Sequence, residues 1–314
     1  MRPQMRVLVT GVTGQVGGAL VARLSEQAFI VAADRNRLDL SCINEIPTVL
    51  DQLEPDLIVN AAAYTAVDRA EDERGLAFRT NADAPAAMAH WASARGVPLV
   101  HFSTDYVFDG AGDRPWREDD PVAPLSVYGA SKLAGETAIR AAGGPHLIIR
   151  TQWVYAAKGA NFLRTIARLA SQRKELRIVA DQHGAPTSAR VIADAVASII
   201  APNSIPLTER FNDAGGLIHI AASGETTWHG FAQAIVDGLK ARGAELAVET
   251  VVPIRAAEYP TRARRPANSR LDLTNLRTIF GISTPIWHEP LEIELDDLAK
   301  EMTSLLPSNF HSAA

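Results

Sequence analysis

Tyr128 and Lys132 stand four apart in the stretch Tyr128-Gly-Ala-Ser-Lys132, so on a helix both side chains emerge on one face. A phenol beside an ammonium is a tuned acid. Free tyrosine titrates at about 10, and a nearby positive charge favours the phenolate and lowers that value. The pair is therefore expected to donate a proton to a carbonyl oxygen near neutral pH. Solvated helix faces produce the same spacing by chance, so the chemistry depends on what else the chain brings to it.

Met5 to Thr10 is a short, apolar, β-branched run that reads as a buried strand. It enters Gly11-Val12-Thr13-Gly14-Gln15-Val16-Gly17, and a helical pattern follows through Leu20 and Leu24. In such a strand–turn–helix, Gly11 permits a tight bend, Gly14 admits a pyrophosphate to the backbone amides, and Gly17 packs the helix close to the strand. The helix start presents unpaired N–H groups and a positive dipole end to the phosphates. Strand before and helix after favour dinucleotide binding over a plain connecting turn.

A second strand, Phe29 to Ala33, ends at Asp34. An acid there accepts hydrogen bonds from ribose hydroxyls, which favours NAD, yet Arg35 and Arg37 follow and suit a 2′-phosphate. NADH and NADPH both stay open. Asp39 and Leu40 are candidates to border the adenine. Further strands lead from Asp56–Asn60 into Ala61, Ala62 and Ala63, and from Pro98–Phe102 into Ser103-Thr104-Asp105-Tyr106-Val107-Phe108. Ligands of open α/β sheets sit outside the carboxyl ends of the strands, which sets both loops over the crevice of the glycine turn. The Thr104 hydroxyl is placed to hold the carbonyl that Tyr128 protonates; its simpler role is to cap a strand end.

Strands alternating with helices imply a doubly wound parallel sheet of Rossmann type with a smaller α/β domain. Residues 1–155 are expected to form the cofactor domain, with 189–221 returning to it; 156–188 and 222–314 are expected to form the substrate domain. Within them, Asn161–Gln172 and Ala189–Ile200 read as helices, and Arg177–Ala180 and Leu217–Ile220 as strands. The 314-residue chain is 47% hydrophobic with a net charge of −5, which argues against a nucleic-acid or membrane-surface binder. One cysteine, Cys42, excludes an internal disulfide and fits a reducing cytoplasm. No N-terminal apolar segment or long uncharged stretch is present, so the expectation is a cytoplasmic protein. No His/Cys/carboxylate spacing reads as a zinc site. His183 and His229 read as loop or packing residues, Trp91, Trp116 and Trp287 as core aromatics, and Glu118-Asp119-Asp120 as a solvated turn.

The glycine turn, Asn60-Ala-Ala-Ala63, Ser103–Phe108 and Tyr128-x-x-x-Lys132 resemble the extended short-chain dehydrogenase/reductases. Ala66-Val67-Asp68, Pro124–Gly129, Lys132–Glu136, Arg150–Tyr155, Asp181–Thr187, Thr227–His229 and Tyr259–Arg270 narrow the resemblance to the dTDP-4-dehydrorhamnose reductases. It implies hydride transfer from NADPH or NADH to the ketone of dTDP-4-dehydrorhamnose. Tyr128 would then donate the proton, Lys132 would stabilise its ionised form and hold the nicotinamide ribose, and Thr104 would orient the carbonyl. Asp105 would hold sugar hydroxyls, and Val67, Tyr106 and Trp153 would line the sugar pocket. Arg262, Arg264, Arg265 and Arg270 form the densest basic run, and guanidinium groups suit a diphosphate. A homodimer is also implied. Some relatives are linked to magnesium through carboxylates at a dimer contact; Arg190 stands here in that region, which puts a metal role in doubt. An epimerase or dehydratase would share the Tyr-x-x-x-Lys pair, although Tyr106 stands after Asp105 where a dehydratase usually has an acid. A non-catalytic regulatory subunit is the remaining alternative, against which the intact Tyr128, Lys132 and Thr104 argue.

Overall fold

Residues 4–304 are described in a computed structural model. Six strands form one parallel sheet: β1 (Arg6–Thr10), β2 (Phe29–Ala33), β3 (Leu57–Asn60), β4 (Leu99–Thr104), β5 (His146–Thr151) and β6 (Leu217–His219). Their spatial order is β6-β5-β4-β3-β1-β2. The chain leaves β1 for β2 on one side and returns to β3 on the other. That reversal opens a crevice at the carboxyl ends of β1 and β3, where open α/β sheets bind ligands.

The strands are apolar on both faces because both are covered. Val7 and Val9 join Val59, Val100 and Ile149 in one core with Ile192 and Val196, whereas Leu8 joins Ile58, Leu99 and Ile148 in another with Leu50 and Met88. This is the period of two expected of a strand. Ile192 and Val196 belong to the helix Ala189–Ile200, which Ser188 caps by accepting from Val191 N at 3.3 Å. That helix packs on Gln15–Leu24, the helix after the glycine turn.

A third core gathers Tyr155, Leu163, Ile166, Phe231, Ile235 and Leu295. Helices Phe162–Ala170, Trp228–Ala241 and His288–Ser304 enclose it together with a parallel strand pair, Glu175–Val179 and Thr250–Ile254. The first of these strands lies a little earlier than the expected Arg177–Ala180, because its register pairs Glu175 with Thr250 and Val179 with Ile254.

The acidic run Glu118-Asp119-Asp120 differs from the expected solvated turn. Only Asp119 is exposed. Glu118 accepts from the His219 backbone N–H and from Asn275, both at 3.0 Å, and Asp120 is held by Arg114 through two 2.7 Å bonds. The carboxylate satisfies a sheet amide that has no strand partner, which draws it inward. Trp91 is buried, Trp116 stacks on Phe108, and Trp287 meets Phe231 edge-on. No helix among the described residues is long and apolar enough to cross a membrane.

Candidate active site

A cavity of about 1880 Å³ opens over the carboxyl ends of β1, β3 and β4. Sites for one small ligand usually measure roughly 300–1,000 Å³, so this one has room for two. Gly11, at φ +66°, turns the chain at the end of β1; a Cβ there would lie 2.7 Å from Ala62 N and 2.8 Å from Ala61 C. A Cβ at Gly17 would lie 2.2 Å from Gly11 O, so only glycine lets the helix seat against the turn. Gly14 is the N-cap of that helix and offers no side chain to its first N–H groups. Those groups remain available to an anion. Thr13, Gln15 and Val16 line the cavity beside them, as do Ala61, Ala62 and Ala63.

At the end of β2, Asp34, Arg35, Asp39 and Leu40 line the far end of the same cavity, while Arg37 does not. Asp34 Oδ1 accepts the N–H groups of Asn36 at 3.1 Å and Arg37 at 3.0 Å, and Arg37 reaches back to Ala32 O. Arg35 pairs loosely with Asp39 at 3.3 Å and is largely exposed. The turn therefore presents two carboxylates, Asp34 and Asp39, and one guanidinium, Arg35, together.

Tyr128 and Lys132 lie on the helix Val127–Ala141, capped by Ser126 through Gly129 N at 3.2 Å. A Cβ at Gly129 would lie 2.2 Å from Tyr106 O. Glycine there lets the helix press against the loop after β4, and so brings Tyr128 to Thr104. Thr104 faces the Tyr128 phenol, and its Oγ1 accepts from Tyr106 N at 3.2 Å and donates to Asp105 Oδ1 at 3.0 Å. Thr104 thus caps the turn Asp105–Val107 and faces the phenol at once.

The expected lowering of the phenol by Lys132 is not what the structure contains. Burial pushes Tyr128 up to about 12, the Thr104 hydrogen bond works against that rise, and the Asp105 charge adds to it. The physical reason is that the Lys132 Nζ is engaged elsewhere: it donates to Phe102 O at 2.6 Å and lies 3.3 Å from His101 Nε2. Lys132 itself is 2% exposed, and burial lowers it to about 8.

Val67, Asp105, Tyr106 and Trp153 also line the cavity. Trp153 adopts φ +45°, a conformation rare for a bulky side chain and characteristic of sites where the surroundings hold it. Its indole stacks on Trp228 with centroids 3.7 Å apart, and Gly184 backs it: a Cβ there would lie 2.6 Å from Trp153 Cε2. Arg262 and Arg265 are not among the cavity-lining residues. Arg262 pairs with Asp72, and Arg265 pairs with Asp68 at 2.7 Å, leaving its Nη1 buried without a partner. Arg270 turns away to Glu225 at 2.8 Å. The basic run is thus divided between separate ion pairs.

Several lining residues have no site role in the sequence reading, although Gln152 and Trp228 fall within its motifs: Tyr64, Gln152, Lys158, Asn161 and Trp228. Asn81, in a π-helical turn Arg79–Asp83, ties the Tyr64 backbone to Ser131 on the Tyr128 helix through bonds of 2.8, 3.0 and 2.9 Å. An asparagine inside a helix has poor propensity, and that was the one available signal.

The residues around Arg190 do not suit magnesium. Its guanidinium donates to Glu294 at 3.0 Å and also pairs with Asp297. The carboxylates of this corner already face a cation, whereas magnesium needs open oxygen ligands.

Residues 5–300 match the family described as the RmlD substrate binding domain. The chain is 45% identical to a dTDP-4-dehydrorhamnose reductase of Burkholderia thailandensis over 95% of its own length and 100% of that protein. It is 41% identical to one from Escherichia coli K12, covering 94% and 98%. The chain belongs to the dTDP-4-dehydrorhamnose reductase family. Among solved members, the Bacillus anthracis dTDP-4-dehydrorhamnose reductase in complex with NADP superposes with a TM-score of 0.84 at 32% identity, covering 94% of this chain and 99% of that one. The family fold accounts for the mixed α/β architecture and the parallel sheet described above.

Proposed function

We propose that the protein reduces the 4-keto group of dTDP-4-dehydrorhamnose with NADPH or NADH, giving dTDP-L-rhamnose. The observation that carries this reading is the meeting of a glycine turn and the Tyr128–Thr104–Lys132 cluster in one cavity. The relative from Bacillus anthracis, solved with NADP, supports the choice of cofactor class. When bound, the nicotinamide supplies the hydride. Tyr128 gives its proton to the ketone oxygen, and Thr104 holds that oxygen against the phenol. Because burial raises the phenol to about 12, Tyr128 is held as the neutral acid until the oxygen takes up negative charge. The Lys132 ammonium then stabilises the phenolate. Trp153 and Trp228 wall the sugar, and Asp105 accepts from its hydroxyls.

Arg265 is proposed to meet the diphosphate by turning from its pair with Asp68, since in that pair its guanidinium does not line the cavity. Arg265→Gln is expected to raise the Michaelis constant for the sugar nucleotide by roughly tenfold, the loss of one charge-assisted bond, and to leave that for the cofactor within twofold (~0.4 kcal/mol). Equal effects on both constants in steady-state kinetics would refute the role.

Asp105 gives a pH signature. It is 2% exposed, and burial pushes its carboxyl up to about 7, against the pull of the Ser269 and Thr104 hydroxyls. Its folded value exceeds the unfolded one, so the folded state binds the extra proton and stability falls as pH rises between about 4 and 7. Melting temperatures of the wild type minus those of Asp105→Asn are expected to decline across that window. A flat difference would remove the raised carboxyl.

The decisive assay supplies dTDP-4-dehydrorhamnose with each reduced cofactor and identifies the product by NMR. Stoichiometric cofactor oxidation is expected; an epimerase or a regulatory subunit gives none. The reading extends to a cytoplasmic enzyme that pairs as a homodimer, which sedimentation of the purified protein tests.

A further inference from the structure

Behind Lys132 runs a line of buried polar groups whose directions can be read from a backbone amide. The Ala62 N–H donates to Thr10 Oγ1 at 3.2 Å, and the Thr10 hydroxyl proton then goes to Asn60 Oδ1 at 2.6 Å. With its oxygen so occupied, Asn60 turns Nδ2 toward His101 Nδ1 at 3.0 Å and donates to it. A neutral imidazole that accepts at Nδ1 carries its proton at Nε2, and Nε2 lies 3.3 Å from Lys132 Nζ. Thr10, Asn60, His101 and Lys132 are each at most 2% exposed, so bulk solvent does not reach these bonds.

We propose that His101 is a positioning residue for Lys132: its Nε2–H, oriented through Asn60 and Thr10, turns the remaining N–H groups of the lysine toward Tyr128 and the cavity. The inference rests on the reading of Lys132 as the partner of Tyr128. Phe102 O takes one lysine proton at 2.6 Å, and the imidazole N–H denies the lysine a second acceptor on that side. An amine lone pair accepts that N–H, whereas an ammonium is opposed by it, so the contact also weakens the charged form. Burial holds His101 neutral and acts on Lys132 in the same direction. The other groups around Lys132 are accounted for. On its own helix stand Tyr128 and Glu136, the latter paired with Arg150 of β5 at 2.7 Å. β4 adds His101 and, just beyond its end, Asp105, while β1 and β3 present the uncharged Thr10 and Asn60.

The test is the titration of Lys132 in the intact protein, followed by NMR of its side chain and assigned with Lys132→Arg. His101→Phe keeps an aromatic ring but removes the N–H. A more apolar neighbour alone would lower the lysine pKa, so a rise, expected at about one unit, can come only from losing the opposing N–H. Thr10→Val frees Asn60 to turn its oxygen to His101, which moves the imidazole proton to Nδ1, and it is expected to raise the lysine as well. An unmoved or lowered value in whichever variant folds overturns the proposal. The titration needs no turnover, so a protein that fails to reduce the keto-sugar refutes the proposed function and leaves this result standing by itself.

Discussion

Tyr128→Phe is expected to slow turnover of dTDP-4-dehydrorhamnose by about 10²–10⁴-fold, the usual contribution of a positioned general acid. The substitution is clean. The Tyr128 ring meets Tyr106 edge-on at 5.6 Å, a contact that phenylalanine retains, and the hydroxyl faces Thr104. Binding of the reduced cofactor, followed by fluorescence titration, is expected to change less than threefold (~0.7 kcal/mol). Cofactor oxidation within a few fold of the wild-type rate would remove Tyr128 as the proton donor.

Arg150→Met should cost about 3–5 kcal/mol of stability, because it leaves a buried carboxylate without its partner. Arg150 and Glu136 are 3% and 2% exposed and share two bonds of 2.9 and 2.7 Å; Ser103 donates to the same carboxylate at 2.5 Å, and the guanidinium lies 5.0 Å from the Phe108 ring centre. Glu136 follows Lys132 by one helical turn, and Ser103 precedes Thr104. Glu136 therefore ties the Tyr128 helix to β5 through Arg150 and to β4 through Ser103. Removing both charges with Arg150→Met and Glu136→Leu is expected to restore much of the loss, since two apolar groups can replace a buried pair. Urea denaturation midpoints measure both. A shift as small as that from breaking the exposed Lys174–Glu249 pair, which is about 0–1 kcal/mol, would sink the argument.

The parallel sheet and the glycine turn were legible because their signals are local. A short β-branched apolar run such as Val7-Leu8-Val9, ending at a glycine turn, reads as a strand buried on both faces, and Gly11 and Gly17 announce close backbone contact at fixed spacing. The Tyr128–Lys132 pair was legible in position but not in electrostatics. The lysine is committed to the Phe102 carbonyl, and a backbone acceptor on a distant strand leaves no trace in side-chain spacing. Arg262 and Arg265 show the same limit from another side. Their partners Asp72 and Asp68 lie in a different part of the chain, so a dense basic run dissolved into separate pairs. His101 was hidden because a histidine within Leu99–Thr104 reads as one more inward residue of a core strand.

The stacked indoles of Trp153 and Trp228 have a bearing on how members of such a family diverge. One ring follows β5 of the parallel sheet, the other begins a helix of the third core, and Gly184 leaves the first no room to retreat. Neither ring can be resized alone without stranding its neighbour. Reshaping this wall of the cavity therefore calls for paired substitutions in segments remote in sequence.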